Sequence, residues 1–223
     1  MISTRDEQSL TVEGQEISVC LTTGSTSRCT VIFGHGAGAG MRHTSLDAIA
    51  NANAELGIST LRFNFPYMEA GRNRVDALSV STQTFKELHS FAKAKGLDPL
   101  FLGGHSFGGR MSTHAVVEHN LVVEGLILSS FPLHNPKKPS LDRASHFERI
   151  DCPILFLIGT RDGMANADLI QQLAVRHQAT LKWLDTADHG YKTLKRTRTR
   201  QDDVFREIAE YTDAFVSDML NQR

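Results

Sequence analysis

The stretch GGHSFGGR (103–110) sets one serine, Ser106, among four glycines and a histidine. It follows the apolar run PLFLGG (99–104), which reads as a strand, and a helical period opens at about Phe107. G-H-S-F-G (104–108) fits the pattern G-x-S-x-G at a strand-to-helix turn. There a serine stands on strained backbone, and the residues two before and two after it come close together. Gly104 and Gly108 permit that approach, and Gly109 relieves the packing of helix on strand. The helix N-terminus and the Phe107 amide would face negative charge developing beside the hydroxyl. A glycine-rich turn with an idle serine is the bland reading of the same letters, and the remainder of the chain decides between the two.

Outward from this turn, short apolar runs alternate with helical periods. The runs are CTVIFG (29–34), STLRFNF (59–65), PLFLGG, EGLILSS (124–130), CPILFLIG (152–159) and TLKWLD (180–185). Several are apolar throughout, as strands covered on both faces should be. Helical faces are marked by Leu46, Ile49, Ala50 and Leu56, then by Phe85, Leu88 and Ala92. Leu169, Ile170 and Leu173 mark a third, and Val204, Ile208, Phe215 and Met219 the last. This alternation predicts an α/β fold with a mostly parallel central sheet and helices on both faces. The alternating N-terminal part around Glu13 and Gly14 predicts a hairpin at a sheet edge. Residues 131–151, with three of the six prolines, break the rhythm. They read as a long connection past a strand end, a candidate substrate wall.

A serine is a weak nucleophile near neutral pH. It needs a histidine base, and the base needs a carboxylate to fix its tautomer. In this topology the order along the chain is serine, acid, histidine. Asp162 lies just past the strand CPILFLIG, and His189 just past TLKWLD. Three residue types at three predicted strand ends therefore point to Ser106, Asp162 and His189 as a catalytic set. Asp188 adjoins the histidine too closely to orient its ring easily, while Asp185 is an alternative acid nearby. His105, next to the serine, should point away from it and is left without a function.

A second glycine run, FGHGAGAG (33–40), matches G-x-G-x-x-A at Gly34, Gly36 and Ala39. A dinucleotide site would also need an acid at the end of the next strand, which here ends in Asn64 and Phe65. No G-K-[ST] follows, so a phosphate-cradling Walker loop is excluded. The better reading is a loop whose amides bind an oxyanion together with that of Phe107; Ala37 is the first choice, with Gly36 and Gly38 next. His35, Tyr67 and His134, each just past a strand end, are expected to line the substrate site.

Composition narrows the classes. The chain has 223 residues, enough for one domain over 1–223, with 40% hydrophobic and 22% charged residues and a net charge of −1. There is no broad basic field for nucleic acid or an anionic membrane. No apolar run approaches the ~18 residues of a membrane span, and the polar start MISTRDEQSL has no signal-peptide core. Cys20, Cys29 and Cys152 are far apart and form no C-x-x-C pair, which argues against a zinc site or a disulfide framework. They read as buried thiols in a cytoplasmic protein. KTLKRTRTR (192–200) carries five basic residues in nine, but Asp202, Asp203, Glu207 and Glu210 follow, so a solvated surface is expected.

At HGAGAGM (35–41), LRFNFPYMEAGR (61–72), GGHSFGGR, FPLHNPKKP (131–139), GTRD (159–162) and DHGYK (188–192), the chain resembles the α/β-hydrolase superfamily. Within it, the chain is similar to a lidless, dienelactone-hydrolase-like group that includes predicted bacterial hydrolases and relatives of testis-expressed protein 30. The resemblance implies an eight-stranded, mostly parallel sheet, no separate cap domain, and cofactor-free hydrolysis of an ester-like bond. Many relatives carry Lys or Arg and Met where this chain has His105 and Phe107. True dienelactone hydrolases use a cysteine nucleophile, so the serine here speaks against that activity. The expected function is a serine hydrolase acting on a small ester-like substrate with neither metal nor cofactor. A thioesterase or peptidase on the same residues, or a non-catalytic binding protein, are the alternatives.

Overall fold

The computed structural model describes residues 4–222. Met1–Ser3 and Arg223, the two ends of the domain expected over 1–223, lie outside the described residues. The chain opens with two strands, β1 (Thr4–Val12) and β2 (Gln15–Thr23), which pair antiparallel. Glu13 and Gly14 join them with positive φ at both residues, the geometry of a two-residue hairpin turn. Strands β3 (Cys29–Gly34), β4 (Ile58–Phe63), β5 (Leu100–His105), β6 (Leu126–Ser129), β7 (Ile154–Gly159) and β8 (Thr180–Leu184) follow. The sheet order is β1-β2-β4-β3-β5-β6-β7-β8. From β4 to β8 all neighbours run parallel, while β2 joins β4 antiparallel.

Side chains alternate across the central strands, and both faces are apolar. In β5, Leu100 and Leu102 enter one core and Phe101 the other. In β7, Ile154, Phe156 and Ile158 face the first core, and Leu155 and Leu157 the second. That period of two explains continuous apolar runs in strands buried on both sides. Helices α3 (Leu78–Ala94), α4 (Phe107–His119) and α5 (Ala167–Arg176) cover the first face through Phe85, Leu88, Met111, Ala115, Ile170 and Leu173. Helices α1 (Thr44–Glu55) and α6 (Val204–Leu220) cover the second through Leu46, Ile49, Ile208 and Phe215. The Asn166 side chain caps α5 by accepting from the Asp168 and Leu169 amides, and Asp203 caps α6 through Phe205 N–H.

Three expectations need correction. Strand β4 stops at Phe63, because Pro66 opens the short helix α2 (Pro66–Glu69) at a position where its fixed φ and missing N–H cost nothing. Residues 131–151 form more than a surface connection. Phe131, Leu133 and Phe147 are fully buried in the first core, and the two short 3-10 turns Asp142–Ala144 and Phe147–Arg149 hold the segment against α4. The basic run 192–200 is also only partly solvated. Arg198 is 4% exposed; it pairs with Glu207 and donates to the Asp185 carbonyl, so the first turn of α6 supplies the charge that makes its burial tolerable.

Candidate active site

The parallel strands end on one edge of the sheet, and the chemistry-bearing residues gather there. Ser106 caps α4 with φ 52° and ψ −112°, a combination that costs an ordinary L-residue of order 1–3 kcal/mol. Its amide is anchored by the Ser129 carbonyl at the end of β6 (2.9 Å). The turn closes because three backbones nearly touch. A Cβ on Gly104 would lie 2.5 Å from Gly34 O and 2.6 Å from the Gly108 carbonyl carbon, and a Cβ on Gly108 would lie 2.2 Å from Gly34 O. Gly104 and Gly108 thus behave as the motif requires. The third partner, Gly34 at the end of β3, was not singled out for this contact in the sequence, since only the β3–β5 pairing reveals it.

His189 and Asp162 meet Ser106 across 83 and 56 positions of sequence. The Asp162 side chain is fully buried at the end of β7, and its Oδ1 also accepts from Met164 N–H (2.9 Å), which fixes the carboxylate. His189 Nδ1 lies 2.9 and 2.8 Å from the two Asp162 oxygens, and its Nε2 lies 2.9 Å from Ser106 Oγ. A carboxylate only accepts, so Nδ1 carries the proton and Nε2 presents a lone pair to the serine hydroxyl. The alternative acids are engaged elsewhere. Asp188 Oδ1 accepts from the Gly190 and Lys192 amides, and Asp185 accepts from Thr199 N–H.

The loop after β3 lies against this group. A Cβ on Gly36 would be 3.1 Å from His105 Nδ1 and 3.8 Å from Ser106 Cβ. The Gly36 carbonyl accepts from Ala39 N–H and from His35 Nδ1–H, which turns it into the loop. In a trans peptide the next N–H, that of Ala37, points the opposite way. Among the described residues, neither the Ala37 nor the Phe107 amide donates to a protein acceptor.

The three residues expected to line the substrate site are buried and hydrogen-bonded within the protein. His35 is fully buried, donates to Gly36 O and accepts from Phe65 N–H; burial pushes its pKa down to about 4. Tyr67 is fully buried and donates to the Ala37 carbonyl (2.9 Å). His134 is 3% exposed; its ring donates to Asn135 O and accepts from Asn166 N–H. Through these hydrogen bonds the three brace the loops around Ser106. Residues past strand ends look alike in sequence whether they face inward or outward.

His105, without a function in the sequence, has a clear partner. Its Nε2–H donates to the His189 carbonyl (2.9 Å), and its ring packs on those of His189 and Tyr191. Desolvation pushes its pKa down to about 4, so it is a neutral donor near pH 7. Beside His189 a cavity of about 860 Å³ opens, bordered by His43, Thr44, Arg161 and Phe205; it reaches His189 but not Ser106.

Comparison with known proteins agrees with this architecture. Residues 27–217 match a family model described as an alpha/beta hydrolase domain. Est1E from Butyrivibrio proteoclasticus superposes with a TM-score of 0.76 at 14% identity, covering 96% of this chain and 99% of its own. The dienelactone hydrolase from Anabaena variabilis gives 0.76 at 14% identity, covering 97% and 98%. An alpha-beta serine hydrolase homologue from Coxiella burnetii gives 0.73 at 19% identity, covering 98% and 99%. Such identities speak to the fold. With the family model spanning most of its length, on an eight-stranded sheet whose sharp turn carries a serine, the chain belongs to the α/β-hydrolase family.

Proposed function

We propose that the protein is a serine hydrolase of the carboxylesterase type, cleaving an ester-like bond of a small substrate through an acyl-enzyme. The observation that carries this reading is the unbroken chain from Ser106 Oγ through His189 to buried Asp162, with each link at 2.8–2.9 Å. Ser106 Oγ attacks the carbonyl carbon while its proton passes to His189 Nε2. Asp162 holds the ring in the tautomer that accepts this proton and stabilises the imidazolium that results. The tetrahedral oxyanion is held by the amides of Phe107 and Ala37, with the positive end of α4 beside it. Collapse expels the alcohol, which takes the proton from His189. Water then repeats the sequence on the acyl group and frees Ser106.

His105 is a positioning residue in this scheme, holding the main chain of His189. The strained backbone at Ser106 speaks against a purely structural role, since such strain persists mainly where function uses it. Free thiols at Cys20, Cys29 and Cys152 suit the reducing cytoplasm. Turnover of 4-nitrophenyl butyrate tests the reading. The wild type releases nitrophenol with saturation, and Asp162→Asn lowers kcat by about 10⁴ by allowing the wrong histidine tautomer. A folded wild type that turns over none of a panel of short esters and thioesters contradicts it.

A further inference from the structure

The motif LRFNFPYMEAGR (61–72) takes no step in the chemistry proposed above, yet its middle grips the loop that follows β3. Loop 35–41 holds three glycines and two alanines, so it has almost no side chain with which to keep its own shape. Its tip, at Ala37 and Gly38, is exposed. Residues 64–67 reach it at three points. Asn64 Oδ1 accepts from Met41 N–H (2.9 Å). Phe65 N–H donates to His35 Nε2 (3.1 Å), and the same ring donates through Nδ1 to the Gly36 carbonyl (2.8 Å). The Tyr67 hydroxyl donates to the Ala37 carbonyl (2.9 Å).

The grip is itself held from behind. Tyr67 N–H donates to Asp76 Oδ2 (2.8 Å), Asp76 pairs with Arg72, and the Arg72 amide donates back to the Tyr67 carbonyl (2.8 Å). The fully buried Tyr67 ring meets those of His35 and Phe107 edge-on, with centroids at 5.8 and 6.2 Å. Asn64 Nδ2 donates to Glu69, which also accepts from the amide and hydroxyl of Ser18 on β2.

Two successive peptide planes are fixed in this way. The peptide joining Gly36 to Ala37 is set by two donors on its carbonyl, His35 Nδ1–H and Ala39 N–H. The peptide joining Ala37 to Gly38 is set by Tyr67. Ala37 lies between them with both ends tied, so its own N–H keeps one direction. That N–H shares a planar amide with the Gly36 carbonyl, and donation to the carbonyl strengthens the N–H as a donor. Without the tie at its carbonyl, an exposed alanine followed by glycine could turn over.

We infer that residues 64–67 are a clamp on the oxyanion loop and that Tyr67 is a positioning residue, whose hydroxyl keeps the Ala37 N–H aimed at the developing oxyanion. A donor fixed in advance needs no reorganisation when the charge appears. The positioning role rests on the proposed hydrolase reading, whereas the clamp itself does not.

Tyr67→Phe removes the hydroxyl and keeps the ring, and two measurements separate clamp from chemistry. The first is backbone nitrogen NMR relaxation at Ala37, which needs no turnover. The wild type gives an order parameter near ~0.85, as rigid backbone does, and Tyr67→Phe lowers it toward about 0.6. A wild-type value already below about 0.6, or one that the substitution leaves unchanged, overturns the clamp whether or not the protein hydrolyses esters. Asn64→Ala frees Met41 N–H at the other end of the loop and moves Ala37 in the same direction, which keeps the test open should Tyr67→Phe fold poorly.

The second is turnover of 4-nitrophenyl butyrate, counted per site titrated with a fluorophosphonate, beside inhibition by a trifluoromethyl ketone that forms a tetrahedral adduct on a serine. Removing an oxyanion donor costs ~10²–10³ in rate, so misaiming one is expected to lower kcat about tenfold or more, with KM within about twofold. The inhibition constant rises by the same factor as kcat/KM falls. A tyrosine that only supports the fold reduces the number of titrated sites and leaves both kcat per site and the inhibition constant alone, which overturns the positioning role. A change confined to KM overturns it too. A wild type inert toward every ester removes the hydrolase reading and the positioning role with it, and the relaxation result still decides the clamp.

Discussion

At Ser106 the backbone holds φ at 52°, and this one strained residue directs the hydroxyl toward His189 Nε2. Around it, single side chains divide into those proposed to react and those that hold. His105 belongs to the second kind, because its ring donates to the His189 carbonyl. Replacing it by Phe keeps an aromatic ring against Tyr191 but removes that link. His105→Phe is expected to lower kcat about tenfold while KM for 4-nitrophenyl butyrate stays within about twofold, since one lost hydrogen bond is worth about 1–1.5 kcal/mol. Steady-state kinetics on the two proteins checks this, and a change confined to KM would assign the ring to substrate contact instead. That Ser106, Asp162 and His189 meet was foreseeable from the sequence, because each residue type sits at a predicted strand end; the catalytic roles given to them are proposed. His35, Tyr67 and His134 sit at strand ends too, yet they face the interior, and side-chain direction in a loop leaves no periodic trace in sequence.

Among the elements, the meeting of β3, β5 and α4 sets the site. Gly34, Gly104 and Gly108 come from these three elements in turn and approach so closely that a methyl group at any of them meets neighbouring atoms at 3.0 Å or less. Gly108→Ala would press its Cβ onto the Gly34 carbonyl. It is expected to cost ~3 kcal/mol or more in urea unfolding, at or beyond the usual range for overpacking, because backbone rather than a side chain must yield. A loss below about 1 kcal/mol would mean that the turn is looser than described. The strands themselves were readable from unbroken apolar runs, and β3 falls on CTVIFG without a shift. The ends of β4 and the packing of 131–151 were not. A proline helix start and an apolar residue buried from a loop, such as Phe147, lack the periodicity that marks regular elements.

For the whole molecule, two cores on either side of one sheet leave several histidines enclosed. His35, His105, His114 and His146 have pKa values pushed by burial to between about 3 and about 4, against ~6.5 in an unfolded chain. Each is neutral when folded and takes up a proton on unfolding anywhere between those values. The unfolded state then binds more protons, so stability rises with pH across this window and is lost as pH falls from about 6.5 toward about 4. The urea midpoint is expected to drop steadily between pH 7 and pH 4.5. A midpoint that is flat over this range would show these rings to be solvated. Among the described residues no helix is long and apolar enough to cross a membrane. The same protein answers the main question when treated with a fluorophosphonate probe and its peptides are mapped by mass spectrometry. The account predicts one stoichiometric adduct on Ser106, absent from Ser106→Ala and strongly slowed in His189→Ala. A folded wild type that takes up no probe, or an adduct that persists in Ser106→Ala, would contradict it.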